Sequence, residues 1–379
     1  MFAMIVLLAS VVQLHAAPVF MMRPVEPHTT IITRSPLSAS VLVAQAVHAG
    51  RIRLPFVYRP TLTQLLSCTP APCVTPNVQA SEGGNPVNET PIAADPTSVR
   101  RLITGGNDYN CSNVQGFYAS HDGGTTWNHN CLGNLGGSFG VGDPITAFNT
   151  SGLSFIGGID EVSGTISNIV MEKSSNGGGT WSAPFKAFGG ISPYTFVDKP
   201  WLQIDQGPNS PWRDEMYVST TEFDPNSNTA IVVSNSTNNG GSFTDVMVDA
   251  VAFPTIDQFS DLGIGSDGTV YVTWMRCSAT GPTGDCGGTT AMEMESKSTD
   301  GGSTWSVPVM MTPANLAPDT CGAYYGCLPN TSERVSDIPV VDVDRSGGTF
   351  NNDVYTAFYN WTGTQMQVMV TKSTNGGTT

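Results

Sequence analysis

Histidine is scarce in this 379-residue chain: five in all, three of them (His15, His28 and His48) within the first 48 residues. The two that remain, His121 and His129, are too few for a histidine-rich zinc site or a histidine-based proton relay. Charge is scarce too. Only 12% of residues are Asp, Glu, Lys or Arg, and 16 basic residues against 31 acidic ones leave a net charge of −15. Such a surface repels phosphate backbones, so nucleic acid is not an expected partner. No apolar run reaches the roughly 18–20 residues of a membrane-spanning helix. The chain has no Cys-x-x-Cys pair, no P-loop and no dinucleotide fingerprint.

What is abundant is turn chemistry. The chain carries 41 glycines and 26 prolines, a composition suited to strands and turns, as one large all-β domain or two smaller ones. The N-terminus reads as a secretory leader. Met4–Val12 is apolar and Ala16-Ala17 offers small residues, which puts a signal peptide at 1–17, although no basic residue precedes the run. A second run, Leu37–Val43, follows Arg34 and ends in Ala44-Gln45-Ala46, an alternative cleavage near 46. Residues 18–85 read as a Pro-rich leader and linker. All eight cysteines lie beyond both runs, in close pairs: Cys68 and Cys73, Cys111 and Cys131, Cys277 and Cys286, Cys321 and Cys327. Even number and local pairing suit loop disulfides in an oxidising compartment, secreted or at the cell surface.

One stretch returns five times: SHDGGTTW from Ser120, SSNGGGTW from Ser174, STNNGGSF from Ser236, STDGGSTW from Ser298 and STNGGTT from Ser373. The pattern is Ser-x-(Asp/Asn)-x-Gly-x-(Thr/Ser)-aromatic. It comprises Ser120, Asp122, Gly124 and Trp127; Ser174, Asn176, Gly178 and Trp181; Ser236, Asn238, Gly240 and Phe243; Ser298, Asp300, Gly302 and Trp305; and Ser373, Asn375 and Gly377. Asp or Asn bonds the backbone two residues on, Gly supplies positive φ, and the hydroxyls satisfy leftover backbone groups. The aromatic anchors the turn to a hydrophobic layer. Ser120, His121 and Asp122 are adjacent in one copy only, and neighbouring side chains cannot converge as a catalytic triad must.

The serines are 54, 62, 62 and 75 residues apart. Before each box stand an acid and a short apolar strand (Glu89 to Ala93, Asp143 to Ile145, Asp198 to Leu202, Asp261 to Ile264, Asp337 to Val341). A second strand and a third follow, the third leading into the box. Three or four short strands per repeat match one blade of a β-propeller, in which each twisted sheet covers the face of its neighbour. A solenoid of stacked β coils is the other arrangement, but its repeats are shorter and more uniform.

The boxes resemble the Asp-box, or BNR, repeat of the sialidase superfamily over residues 89–379. Asp198-Lys199-Pro200-Trp201 and Asp267–Val272 are similar to phrases in secreted bacterial members. The resemblance implies a propeller of six blades, or seven. About five are visible in 86–379, with the last box cut short at the C-terminus. It also implies boxes on peripheral turns and, in an active sialidase, three arginines clamping a carboxylate, a Tyr–Glu nucleophile pair and an aspartate acid/base. The family's first arginine stands in a Phe/Tyr-Arg-Ile-Pro phrase. The nearest text here is Tyr58-Arg59-Pro60, one residue short and in the linker. Arg276 and Arg334 are the arginines best placed for a clamp, and Tyr324 and Tyr325 lie in a cysteine-flanked loop that would rim a pocket.

Glu89, Asp143, Asp198, Asp261 and Asp337 open the first strand of successive units, so in a propeller they would ring one mouth of the channel. Such a ring suits Ca²⁺ or a basic ligand group; otherwise each acid caps its strand. The expected function is a secreted module binding a glycan or an extracellular protein, without a complete sialidase catalytic set and with no required cofactor. The alternative is an exo-acting, sialidase-like glycoside hydrolase working through carboxylates in the central pocket.

Overall fold

A computed structural model describes residues 35–52, 78–331 and 333–378. Tyr58-Arg59-Pro60, Cys68 and Cys73 lie outside them. The described chain is almost entirely β. Its one helix, α1 (Ala39–His48), precedes five antiparallel sheets that follow one another along the sequence. No helix among the described residues is long and apolar enough to cross a membrane.

The first sheet contains β1 (Val87–Asn88), β2 (Ile92–Ala94), β3 (Leu102–Asp108), β4 (Gln115–Ser120) and β5 (Asn128–Cys131). The second runs β6 (Phe139–Phe148), β7 (Ser154–Ser163), β8 (Ile166–Ser174) and β9 (Phe185–Gly189). The third runs β10 (Phe196–Ile204), β11 (Met216–Phe223), β12 (Thr229–Ser236) and β13 (Thr244–Val251). In the fourth are β14 (Thr255–Ile264), β15 (Val270–Ser278), β16 (Thr290–Ser298) and β17 (Val309–Asn315). The fifth has β18 (Val340–Val343), β19 (Val354–Trp361) and β20 (Met366–Ser373).

These sheets are the blades of a β-propeller. Their innermost strands touch in sequence order: β2 with β6, β6 with β10, β10 with β14, and β14 with β18. The hydrophobic core is correspondingly divided into layers between blades. Ile103, Phe117 and Ala119 of the first blade meet Phe148, Ile156 and Val170 of the second. Tyr217, Ile231 and Val233 of the third meet Leu262, Ile264 and Val272 of the fourth. Tyr271 of the fourth meets Val341, Val343 and Val354 of the fifth. Strands buried on both faces, such as β11 with all eight residues buried, are what face-to-face stacking of blades requires.

The recurring turns close each blade at its outer edge with one hydrogen-bond pattern. The serine Oγ accepts from the glycine amide four residues on, at 2.8 Å for Ser120–Gly124, 2.9 Å for Ser174–Gly178, 3.0 Å for Ser236–Gly240, 2.9 Å for Ser298–Gly302 and 2.9 Å for Ser373–Gly377. The same hydroxyl donates to Oδ1 of Asp122, Asn176, Asn238, Asp300 or Asn375. The hydroxyl and amide of Thr126 hold the Asp122 carboxyl down, to about 2. From the second blade onward the glycine rests on the preceding blade: Gly178 on Ala119 and Ile103, Gly240 on Phe185 and Phe155, Gly302 on Tyr217, Gly377 on Tyr271 and Glu295. All five have positive φ, so a side chain there would be strained, and at Gly178, Gly302 and Gly377 it would also be crowded. The turn is a clasp between blades, and its polar atoms are consumed in making it. Trp127, Trp181 and Trp305 are half-buried beside these turns, and Phe243 packs on Phe188 of the second blade.

Candidate functional site: the mouth of the channel

Three of the inner strands carry a register shift at the same point: β6 between Gly142 and Ile145, β10 between Asp198 and Trp201, and β14 between Gln258 and Asp261. At each shift, and at the corresponding place before β2, one non-glycine residue is left-handed. These residues are Glu89 (φ 53°), Asp143 (φ 54°), Lys199 (φ 49°) and Phe259 (φ 65°). Left-handed lysine and phenylalanine are rare and mildly strained, and such strain concentrates at binding and catalytic sites. A bulge re-aims the side chain it carries. Here it puts these four residues into one cavity of about 260 Å³, with Trp201, Ser260, Asp261, Ile338 and Val340. Glu89, Lys199 and Phe259 also line an adjoining cavity of about 350 Å³ with Arg334, Ser336 and Tyr359.

The structure therefore distributes the acids singled out in the sequence unevenly. Glu89 and Asp143 occupy the equivalent bulge positions, but Lys199 and Phe259 take the corresponding places in the third and fourth blades. Asp198 stands one residue before the bulge residue and Asp261 two after. Asp261 spends its oxygens on the amides of Leu262 (2.7 Å) and Val341 (2.8 Å), tying the fourth blade to the fifth. Burial raises it to about 7. Asp337 is fully buried, accepts from the Tyr359 amide at 2.7 Å, and lies beside Glu293. Burial and mutual repulsion hold the Glu293 carboxyl above its usual range.

At the mouth itself the charges interlock. Lys199 Nζ is 2.7 Å from Glu89 Oε2 and 3.5 Å from Asp143 Oδ1. Burial raises the Asp143 carboxyl, Lys199 opposes that rise, and Asp198 adds to it. Glu89 is raised for the same first reason, with Lys199 opposing and Asp143 reinforcing. For Lys199, burial works against the ammonium, but Asp143, Glu89 and Asp198 together keep it firmly charged. The point between Glu89 and Asp143 that a metal cation would take is thus held by the protein's own ammonium.

Asp198 Oδ2 accepts from Gln258 Nε2 at 2.9 Å. The Tyr324–Tyr325 loop, closed by the Cys321–Cys327 disulfide, packs over Phe259, with the Phe259 and Tyr325 rings 4.8 Å apart. Burial pushes the Tyr325 phenol far up, so it is a hydrogen-bond donor at any ordinary pH. Tyr324 contributes packing against Tyr325. Arg334 borders the larger cavity, and its Nη1 is buried with no partner among the described residues. Burial lowers the pKa of this guanidinium, which is the mark of a charge lacking a close counterion.

Arg276 lies elsewhere. Its Nε and Nη2 grip Asp257 at 2.7 and 2.8 Å, and Nη2 also pairs with Asp249 of the third blade. Nε and Nη2 are committed to two carboxylates, and the side chain joins the third and fourth blades. Among the described residues the mouth therefore holds one arginine, Arg334, and one lysine, Lys199. Two further disulfides, Cys111–Cys131 and Cys277–Cys286, are formed. Lys199, Gln258 and Phe259 were not singled out by sequence reasoning. The available signal was the Lys-Pro step in an otherwise apolar strand.

Part of the mouth is covered. Residues 36–48 lie across it. The Ser38 amide donates to Asp198 Oδ2 (2.8 Å), and the Ser38 hydroxyl donates to Asp143 Oδ2 (3.2 Å). The Ser40 hydroxyl donates to Asp143 Oδ1. Pro36 O accepts from Gln258 Nε2 (3.0 Å) and from the Tyr325 hydroxyl (2.7 Å). Val41 and Ala44 are fully buried in the layer that joins the second and third blades. His48 stacks on Phe139, with centroids 3.8 Å apart. Part of the stretch that reads as leader and linker, including Ala44-Gln45-Ala46, is therefore a packed helix.

No family model matches the chain, and no curated protein matches it. It is similar to several solved structures. One is the intramolecular trans-sialidase of Ruminococcus gnavus, at 11% identity over 75% of this chain and 83% of that one, with a TM-score of 0.46. Another is the α-L-arabinanase of Penicillium chrysogenum, at 14% identity, 76% and 78% coverage, and a TM-score of 0.48. A third is the α-L-arabinofuranosidase of Fusarium graminearum, at 14% identity, 77% and 78% coverage, and a TM-score of 0.47.

Proposed function

We propose that the mouth of the channel binds a hydroxyl-rich ligand, a glycan, and that the protein works outside the cytosol. One observation carries this reading. Two seryl hydroxyls and an amide from residues 38–40 satisfy Asp143 and Asp198, while a carbonyl at Pro36 satisfies Gln258 and Tyr325. The site thus presents paired acceptors beside paired donors. Sugar hydroxyls, which both donate and accept, meet that pattern. Phe259, Trp201 and Tyr359 supply the apolar surface of a pocket whose few polar groups fix orientation. Arg334 Nη1 is a further donor for a ligand oxygen. The three disulfides support an oxidising compartment.

Glycoside hydrolysis is the second reading, favoured by the contact between Glu89 and Asp143. Burial raises both carboxyls, the direction that suits a carboxylic acid acting as a proton donor. A three-arginine clamp does not support it, because Arg276 is committed elsewhere.

A glycan array probed with the protein tests the binding reading, with Asp143→Asn and Arg334→Ala as controls. Binding weakened at least tenfold in both, at unchanged melting temperature, supports it. Binding that both variants leave untouched places the ligand elsewhere, and no binding by any form, including the opened form below, defeats the proposal. Release of fluorophore from fluorogenic sialosides, abolished in Glu89→Gln, would favour hydrolysis.

A further inference from the structure

We infer that residues 36–48 are an intramolecular plug: this segment of the chain occupies the floor of the mouth, and Asp143, Asp198, Gln258 and Tyr325 take a ligand only after it leaves. The inference rests on the reading of the mouth as a binding site. Its own evidence is the pattern of contacts.

The segment meets the polar groups at the floor of the mouth. Asp143, Asp198, Gln258 and Tyr325 come from three blades and one loop, and each bonds to residue 36, 38 or 40. An element needed only to complete the fold would bury apolar surface and leave the acids to one another. This one does both. Without it, Asp143 and Asp198 would face solvent or ligand with unfilled acceptor positions.

The segment is also separable from the blades. It adds no strand to any of the five sheets. Its hold consists of the bonds from residues 36, 38 and 40, one helix side with Val41 and Ala44 beside Leu37, a stacked His48, and a Gln45 bond to Glu161 at 2.6 Å. The interblade layers, by contrast, are continuous along whole strands. Opening the plug therefore breaks far fewer contacts than opening a blade, the condition for local opening below the global free energy. After Ala49, Gly50 and Arg51 are exposed, where a protease can reach the chain. Cutting there would turn the segment from a tethered occupant into a dissociable one.

The test uses the whole chain and needs no sugar. Carbodiimide with glycine ethyl ester modifies accessible carboxylates, and peptide mass spectrometry reads Asp143 and Asp198 separately. In the wild-type protein both should be protected. In Val41→Asp, which places a charge in the layer that holds the plug, labelling of both should rise at least tenfold while cooperative thermal unfolding is retained. Ser38→Ala/Ser40→Ala, which removes two donors and keeps the packing, should raise it by a smaller factor. Hydrogen exchange on the wild-type protein guards against a variant that fails to fold. Amides of 42–48 should exchange at least tenfold faster than those of β6 and β10. Exchange of α1 at the rate of these strands would make the segment an integral part of the fold and overturn the inference, as would protected carboxylates in a folded Val41→Asp protein. If Val41→Asp opens the carboxylates but gains no signal on the glycan array, the plug stands and the glycan reading falls.

Discussion

The ammonium of Lys199 in the third blade lies 2.7 Å from the carboxylate of Glu89 in the first, passing over the second. The pair is 110 residues apart in sequence and spans the channel mouth. Asp143 of the blade between them completes the cluster at 3.5 Å. Three inner edges are fastened by one side chain.

Removing that side chain leaves Glu89, Asp143 and Asp198 facing one another. Lys199→Met should destabilise the protein by about 3 kcal/mol, the scale for breaking a buried ion pair from one side. Thermal unfolding at pH 7 measures it, and the loss should shrink as pH falls and the raised carboxyls take up protons. A loss that does not change with pH would mean that Lys199 acts through packing.

Calcium should leave the wild-type melting temperature unchanged, because Lys199 already neutralises the acids at the mouth. In Lys199→Met the same titration should raise it, since a cation binding only the folded state stabilises it by mass action. A calcium or EDTA shift in the wild-type protein would show that an ion sits elsewhere.

Glu222 is fully buried in β11, accepts from the Ile191 amide at 2.7 Å, and is raised to about 8 by burial. The folded state therefore holds this proton more tightly than the unfolded state, in which a glutamate titrates near 4.3. Its contribution is fully present below about pH 4 and is lost as pH rises towards 8. Glu222→Gln keeps shape and neutrality, so it should match the wild type at pH 4 and exceed it at pH 8. The upper bound on the gain is about 5 kcal/mol. Urea midpoints across pH 4–9 check this, and parallel curves would refute it.

The clasps should matter to stability and not to ligand binding. Ser236→Ala removes a hydroxyl that accepts from Gly240 and donates to Asn238, at a cost of about 1 kcal/mol. Gly240→Ala, at φ 74°, should cost a similar amount. Any change in ligand affinity in these variants would contradict a purely structural clasp.

The two arginines should separate. Arg276→Ala strands Asp257 in the interior and should cost about 3 kcal/mol or more. Arg334→Ala removes a guanidinium with an unpartnered Nη1, so it should leave stability within about 1 kcal/mol and weaken ligand binding. The reverse pattern would exchange their roles.

Local chemistry made the blades legible. A Ser-x-Asx-x-Gly turn folds through atoms within five residues of one another, and its spacing marks each sheet edge. Apolar strands between such turns need neighbours on both faces, and that demand points to the propeller. The mouth was only half legible, because a bulge decides which residue on each inner strand faces the channel. In β6 that bulge is supported by Asn107 of the first blade, whose side-chain oxygen accepts from the Asp143 amide at 2.8 Å. Nothing near Asp143 in the chain encodes that bond. A one-residue shift put Lys199 where an acid was expected and turned Asp198 towards Gln258. The docking of Leu37–His48 was likewise decided by tertiary structure. The same apolar run that resembles a leader finds an apolar layer and two carboxylates to fill, and both exist only once the second and third blades have come together.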